Sequence, residues 1–335
     1  MHSQSEALSS YLPLAEAALQ NYSLGQMNIA FIQHNAGIVF RVTSPETAHQ
    51  YLLKIYKRVG AGEDPTAEQL ELGLHWLAAL AQASDLVVQA PIATNTGSFV
   101  GQIMLSSLVQ PVSCTLQQWI DGQVPNGDLT QDQAYAIGCM MAKIHAFSST
   151  YPLATNVSAM RHDTQELHSN INRLRTMLPL SLLSNHDFDI LVAAGQRIAE
   201  YLAELGHHSS VWGPVHGDVH YDNVLIHNQE IRPIDFTGLR LAHYVYDVGV
   251  TMYHIFHQGS NIRQTFFAGY QQVYNLPMKY EQFVEAYIAY AAIDNLAWNC
   301  TIPEQQNAPL FQRNLQNLIN TYCALVAQGQ HFLFV

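Results

Sequence analysis

Asp218, Asn223 and Asp235 stand at intervals of five and twelve residues within VWGPVHGDVHYDNVLIHNQEIRPIDFTGLRLAHYVYDVG, the stretch from Val211 to Gly249. All three side chains offer oxygen atoms to a cation or a proton. Between the last two the chain reads as a hairpin. Val224-Leu225-Ile226 is a short apolar strand, His227-Asn228-Gln229 is polar turn material, and Ile231 to Ile234 is a second strand. A hairpin is short and stiff, so Asn223 at its entrance and Asp235 at its exit are expected side by side, with Asp218 on the loop leading in. Such oxygen donors suit a hard cation such as magnesium, which takes few protein oxygens and leaves its other positions to water and substrate phosphates. Phosphoryl transfer to a hydroxyl needs the same groups: metal ligands, and a carboxylate that accepts or orients the acceptor proton.

An aspartate, four intervening residues, an asparagine, a hairpin and an Asp-Phe pair also follow one another in the protein-kinase catalytic core. Here His216-Gly217-Asp218 replaces His-Arg-Asp, and Asp235-Phe236-Thr237-Gly238 replaces Asp-Phe-Gly. In this form the stretch resembles the aminoglycoside phosphotransferase-like kinases. That family includes choline, homoserine and aminoglycoside kinases and a bacterial stress-response Ser/Thr kinase; the nearest likeness is to bacterial homoserine kinase type II and the stress-response phosphotransferases. The resemblance covers residues 28–260, and the remaining C-terminal residues match only in being helical. It implies an α+β, bilobal, protein-kinase-like fold with a five-stranded antiparallel N-lobe sheet and a mostly helical C-lobe. Residues 1–120 are the expected nucleotide-binding lobe, and 121–335 carry the catalytic loop, with an acceptor-binding helical insertion at 152–212. ATP and Mg2+ are the implied cofactors, Asp218 the implied base or orienter, and Asn223 and Asp235 the implied metal ligands.

The elements that must position these groups are legible in outline. A helix is expected around Ala7–Gln20, then strands at Ile29–Gln33, Ile38–Thr43 and Tyr51–Tyr56, separated by His34-Asn35-Ala36-Gly37 and Ser44-Pro45-Glu46. Asn35 to Gly37 sits where kinases carry the loop that covers ATP phosphates, although one glycine alone equally makes a plain hairpin turn. Alternation puts Leu52, Lys54 and Tyr56 on one face of the third strand and Leu53 and Ile55 on the other. A lysine among apolar neighbours must carry its ammonium to something polar, either solvent or, as the resemblance implies, the nucleotide phosphates. Asp64 and Pro65 read as N-cap and first residue of a helix to about Ala83. Strands at Ser98–Leu105 and Ser113–Gln118 complete the sheet. Trp119-Ile120-Asp121-Gly122 then matches the segment between lobes whose backbone meets adenine in the resembled family, which makes Trp119 and Asp121 candidate nucleotide contacts; a core aromatic is the plain alternative for Trp119.

Beyond it the pattern is helical. Thr130 with Gln133 forms a capping box opening a helix to Phe147, Asp163 with Glu166 starts another to about Met177, and Asp187–Leu205 is closed by Gly206. Helices are expected near Val245–Gln258, Ile262–Tyr274, Tyr280–Trp298 and Glu304–Gln328.

Composition bounds the function. The chain has 335 residues, 48% of them apolar and 12% charged, and a formal charge of −12. Residues 1–120 hold 4 basic and 8 acidic side chains and the remainder 10 and 18, so no clustered Lys/Arg surface for nucleic acid is available. The acidic balance leans toward a neutral or cationic small-molecule acceptor. No apolar run reaches membrane-spanning length and the N-terminus does not read as a secretory signal. Cys114, Cys139, Cys300 and Cys323 are scattered without metal-ligand spacing. A cytoplasmic enzyme with reduced thiols is the expectation.

The alternation of His216, Asp218 and His220 also suits a transition-metal phosphoesterase, but further His and Asp clusters at suitable spacing are missing. In the kinase-like reading His216 packs beneath the Asp235 segment, His220 binds loop backbone, Asp222 is a solvated neighbour, and Asp247 ties down the catalytic loop. Two departures stand out. The nearest subfamily carries an acidic residue after Asp-Phe, where this chain has Thr237. The helix glutamate expected to pair with Lys54 falls on Gly73 if Trp76-Leu77 is aligned, with Glu71 and Glu68 on other faces. Small-molecule phosphotransfer is therefore the leading reading. Ser/Thr protein phosphorylation is second, and a catalytically weak nucleotide-binding scaffold, supported only by the missing glutamate, is third.

Overall fold

Period-two alternation over residues 28–55 becomes a β-meander in the computed structural model, which describes residues 4–34, 37–57, 64–106, 108–153, 159–236, 240–301 and 309–335. Strands β1 (Asn28–His34), β2 (Ile38–Thr43), β3 (Gln50–Ile55), β4 (Pro91–Ile92), β5 (Val100–Ile103) and β6 (Val112–Gln118) form one antiparallel sheet in the order β1-β2-β3-β6-β4, with β5 also paired to β6. The five expected strands are present, and the additional β4 is two residues long. One face is sealed by helix α1 (Gln4–Leu19), whose Leu14, Ala15 and Ala18 join Ile38, Phe40, Val42, Leu53 and Ile55 in a core from which water is excluded. Leu53 and Ile55 thus face α1, while Lys54 takes the other side with Tyr56, its ammonium 5.7 Å from the tyrosine ring.

Helix α2 (Ala67–Ala83) starts later than Asp64-Pro65 suggests. Its N-cap is Thr66, whose hydroxyl accepts from the Gln69 amide (3.2 Å) while the Gln69 side chain accepts from the Thr66 amide (3.0 Å). That reciprocal pair satisfies two otherwise orphaned N–H groups, which a cap at Asp64, two residues earlier, would leave open.

The chain forms two compact units, Met1–Asp121 with Asp235–Leu239, and Gly122–Ile234 with Arg240–Val335. The second unit is mostly helical: α3 (Gln131–Ser148), α4 (Thr164–Arg175), α5 (Asn185–Leu205), α6 (Val245–Ile255), α7 (Ser260–Gln271), α8 (Tyr280–Asn299) and α9 (Pro309–Leu318), the last running through a π-helical turn (Ile319–Cys323) into Ala324–Ala327. The caps at Thr130 and Asp163 form as expected. Helix α5 begins two residues earlier than Asp187, because Ser184 caps it and accepts the Asp187 amide at 3.0 Å. Strand β8 (Trp212–Val215) pairs antiparallel with β11 (Arg240–His243), and the two-residue β7 (Met160–Arg161) adds to β11 in parallel. Strands β9 (Val224–His227) and β10 (Glu230–Pro233) make the expected hairpin. Its two-residue turn has φ of 49° at Asn228 and 69° at Gln229, the doubly left-handed geometry that matches strand twist.

Helices α3 and α7 cross through glycine. A side-chain carbon at Gly138 would overlap the Phe266 carbonyl oxygen, and one at Gly269 the Tyr135 carbonyl oxygen. Only backbone fits at either point. Gly138→Ala is therefore expected to separate the helices and cost about 1–3 kcal/mol, the usual penalty for overpacking, read as a lower midpoint in urea with an unchanged m value. An unchanged midpoint would mean that the crossing is loose.

Candidate active site

Asp247 is the buried centre of the second unit's polar groups. It lies in the first turn of α6 with no solvent exposure. Its Oδ1 accepts the Gly217 amide (2.7 Å), and its Oδ2 accepts the His216 amide (3.0 Å) and His145 Nε2 (3.1 Å). His145 Nδ1 is in turn hydrogen-bonded to the Tyr270 hydroxyl (2.7 Å), a reach that the close α3–α7 crossing permits. Burial alone would raise the Asp247 carboxyl; the hydrogen bond and electrostatic pull of His145, with His216 and the Gly217 amide, outweigh it and hold it below the ordinary range. From the other side the His216 ring donates Nε2–H to the Ile234 carbonyl (2.8 Å), and Thr251 donates to the Val219 carbonyl (2.6 Å). The loop is thus held at His216, Gly217 and Val219. Gly217 has φ +81°, a left-handed turn that glycine adopts without strain.

Asp218 projects from this braced loop with its side chain 52% exposed. Partial burial opposes its ionisation, but the His220 hydrogen bond and charge, with Arg240 and His216, hold its carboxyl well below the usual carboxylate range. It is a persistent anion. Asn223 closes a 3-10 turn (Tyr221–Asn223) capped by His220, whose Nδ1 accepts the Asp222 amide (3.3 Å). The Asn223 amide nitrogen reaches the Asp218 carbonyl (2.9 Å), Asp218 Oδ2 (3.2 Å) and His220 Nε2 (3.0 Å). Its hydrogens are therefore spent, and Oδ1 is the atom left for a cation. The exposed Asp222 sits 3.6 Å from His220 Nδ1. The hairpin register is set by the Ile234 amide donating to the Asn223 carbonyl (3.0 Å), one residue before Asp235 in the chain.

In the first unit Lys54 is 6% exposed, and its ammonium lies 2.5 Å from Asp235 Oδ1. Asp235 has φ +64°, an uncommon conformation for a non-glycine residue. It is steadied by Gln89, whose buried side chain accepts the Asp235 amide (3.0 Å), and by Phe236, whose ring packs 5.7 Å from Trp76. Gly37 packs against Lys54: a side-chain carbon there would come 2.9 Å from the Ile55 carbonyl oxygen and 3.6 Å from Lys54 Cε. Asn35 and Thr237 lie outside the described residues.

Trp119 ends β6. Its indole N–H donates to Asp121 (3.2 Å), Arg41 lies over its ring at 5.5 Å, and its backbone amide is committed to the Gln50 carbonyl (3.2 Å). The ring is half-buried, and its amide is already used by the Gln50 carbonyl. Glu71 is committed as well. Its carboxylate accepts the Phe99 and Val100 amides (3.0 Å each) and the Ser98 hydroxyl (2.7 Å), so it caps the start of β5.

The structure thus joins Lys54 with Asp235 and Gly37, Asp218 with Asn223, and Trp119 with Asp121. Sequence reasoning missed Gln89, His145 and Arg240. Gln89 is a polar residue interrupting the apolar run LVVQAP, and His145 falls on the buried stripe of α3 with Ile137, Met141 and Ile144. Both are polar groups at apolar positions, and that was the available signal. Among the described residues no group of three or more His, Cys, Asp and Glu side chains is placed to hold a metal ion. Among them also, no helix is long and apolar enough to cross a membrane, and all four cysteines are free thiols.

Residues 30–282 match the model of the APH phosphotransferase enzyme family. The chain is 24% identical over 283 residues to an uncharacterized protein of Synechocystis sp., covering 81% of this chain and 74% of that protein. Among solved structures it resembles a microcompartment-associated aminopropanol kinase at TM-score 0.74 and 20% identity, covering 95% of this chain and 97% of that one. It also resembles an amicoumacin kinase in complex with AMP-PNP and Ca2+, at TM-score 0.74 and 15% identity, covering 96% of each. The fold is kinase-like.

Two outcomes follow from these contacts. Glu71→Ala should cost about 1–3 kcal/mol of stability, because buried amides lose their acceptor, yet change kcat/KM for ATP by less than about threefold; a tenfold loss, about 1.4 kcal/mol, would make Glu71 a functional partner of Lys54. Asp247→Asn should lower Tm strongly at neutral pH. Because the native carboxyl is held below the ordinary value of 3.8, its contribution is complete above that value and disappears as pH falls further. The Tm gap between wild type and Asp247→Asn should narrow below that pH. A gap independent of pH would show that the carboxylate charge is not what holds the loop.

Proposed function

The chain belongs to the APH phosphotransferase enzyme family and is a phosphotransferase with an alcohol group as acceptor, and we propose that it moves the γ-phosphoryl group of ATP, with Mg2+, to a hydroxyl of a small molecule. The observation that carries this reading is Asp218: an exposed carboxylate, held ionised, on a loop locked by Asp247 and touching Asn223. That arrangement suits a group that orients a hydroxyl for in-line attack and takes its proton late, once the bond to phosphorus has formed. Few other duties need a braced, solvent-facing anion.

Asn223 Oδ1 and the Asp235 carboxylate are hard oxygen donors of the kind magnesium accepts. Asn223 fits because its two amide hydrogens are spent on the carbonyl and the carboxylate of Asp218. The metal would supply charge neutralisation at the nucleotide phosphates. Lys54 is the phosphate-binding cation in this reading, and its contact with Asp235 keeps both side chains aimed while ATP is exchanged. Gly37 keeps the backbone close to the lysine. Trp119 and Asp121 are proposed to border the adenine, with contacts coming from groups other than the Trp119 amide. Asn35 is proposed to belong to the phosphate-covering loop.

The acceptor is proposed to be of the aminoglycoside, choline or homoserine type. The negative balance of the chain favours cationic or neutral acceptors, and the aminopropanol and amicoumacin kinases that share the fold are named for small-molecule acceptors. Helices α4 and α5, which precede the catalytic loop, are the proposed acceptor wall.

Asp218→Asn keeps the shape of the side chain and removes its basicity. It should lower kcat by about 10²–10⁴-fold, while magnesium-ATP still raises Tm as in the wild type. Near-native turnover by the variant would remove Asp218 from the mechanism. Wild-type ATP binding without turnover over a broad acceptor panel would favour the scaffold alternative.

A further inference from the structure

Arg240 opens β11, opposite Val215 of β8 on one side and Met160 of β7 on the other. Its aliphatic stem lies on Gly217: any side-chain carbon there would overlap Arg240 Cδ. The glycine before Asp218 therefore has two duties, a left-handed turn and a seat for the arginine. Arg240 Nη1 reaches His162 Nε2 (3.3 Å) and the Gly217 carbonyl (3.4 Å), while its buried Nε has no hydrogen-bond partner among the described residues. An unsatisfied buried N–H is costly, and an apolar side chain could fill the same space without that cost. Space-filling does not explain the residue.

Its orientation is controlled from behind. His162 stacks on Tyr246 at 4.2 Å, and its Nδ1 lies 3.6 Å from Asp294 Oδ2. Asp294 is itself fixed by Asn170, whose amide donates to Oδ1 at 2.6 Å. This chain of groups from α4 and α8 presents a guanidinium to the loop that carries Asp218. Arg240 is also one of the charges that favour the ionised form of Asp218.

A phosphoryl group arriving beside an ionised carboxylate meets a like charge, and that repulsion grows as water is excluded. His220, the other polar neighbour of Asp218, is already committed, its Nδ1 to the Asp222 amide and its Nε2 to Asp218 itself at 3.6 Å. We propose that Arg240 is a further residue of the transfer site, whose guanidinium contacts the phosphoryl group as it passes to the acceptor and offsets its repulsion by Asp218. Arginine suits this task because its planar fork matches phosphate oxygens. His162 and Asp294 are positioning residues for it. The inference rests on the phosphotransferase reading above and adds a residue to it.

The test needs no knowledge of the acceptor. Magnesium-ADP with aluminium fluoride mimics the transferring phosphoryl group, and calorimetry gives the nucleotide Kd with and without fluoride. In the wild type, fluoride should tighten ADP binding. Arg240→Gln should lose at least tenfold of that tightening while Kd for magnesium-ADP alone stays within twofold, and its kcat should fall about 10²–10³-fold, as for removal of one transition-state donor. Arg240→Lys, which keeps the charge, should retain most of the tightening, and it carries the test if Arg240→Gln does not fold. Full tightening in Arg240→Gln overturns the proposal. So does an equal loss in Arg240→Lys accompanied by a fall in Tm, because the guanidinium is then only a brace over Gly217. A wild type that binds no magnesium-ADP at all removes the phosphotransferase reading, and this inference with it.

Discussion

A carboxylate with no access to water holds the loop that carries Asp218 in place. Asp247 would be destabilising on its own, since transferring a charge to a protein interior costs several kcal/mol after relaxation. Here the cost is offset because both oxygens are saturated, by the His216 and Gly217 amides and by His145. Those two amides belong to the residues immediately before Asp218. The same contacts that make the buried charge tolerable therefore fix the backbone from which the exposed carboxylate projects. Removing one partner leaves the others unsatisfied, so the loop and the core beneath it are one cooperative unit.

This constraint reaches back into helix packing. His145 and Tyr270 belong to α3 and α7, and they meet because Gly138 and Gly269 let the two backbones touch. A glycine pair far from Asp218 in sequence thus sets the partner of the group that sets the loop. In the first unit the equivalent device is smaller. Gln89 and Trp76 hold the left-handed Asp235 and the Phe236 beside it, and Lys54 reaches Asp235 from the strand that Gly37 allows to lie close. In both units a candidate site residue is aimed by buried groups packed behind it.

The candidate site residues stood out in the sequence because the chemistry proposed for them restricts residue type. Asp218, Asn223 and Asp235 announce themselves by spacing, and the hairpin between the last two by alternation around a polar turn. The sheet and the caps at Thr130 and Asp163 were legible because the periodicity and the capping residues are local. What escaped was whatever depends on distant partners. Gln89, His145 and Arg240 are single polar residues whose meaning lies in contacts 102 to 146 positions away in the first two cases, and for Arg240 in the empty face of Gly217. Glu71 belongs with them: helix geometry set it on another face from the partner expected for Lys54, but its actual duty, capping the start of β5 from 27 to 29 positions away, carried no spacing signal. The start of α2 went to Thr66 because a reciprocal capping pair outweighs a lone Asp-Pro signal.

The central claim is transfer of the ATP γ-phosphoryl group to a small hydroxyl compound, and the most direct measurement follows that group itself. The intact protein is incubated with γ-labelled ATP, magnesium and a panel of amino alcohols, hydroxy amino acids, aminoglycosides, sugars and generic protein substrates, and the label is located by chromatography. The account predicts a labelled phosphomonoester of a small hydroxyl compound, formed with one equivalent of ADP and only when magnesium is present. Label appearing in protein alone, or cleavage of phosphate esters without ATP, would contradict it.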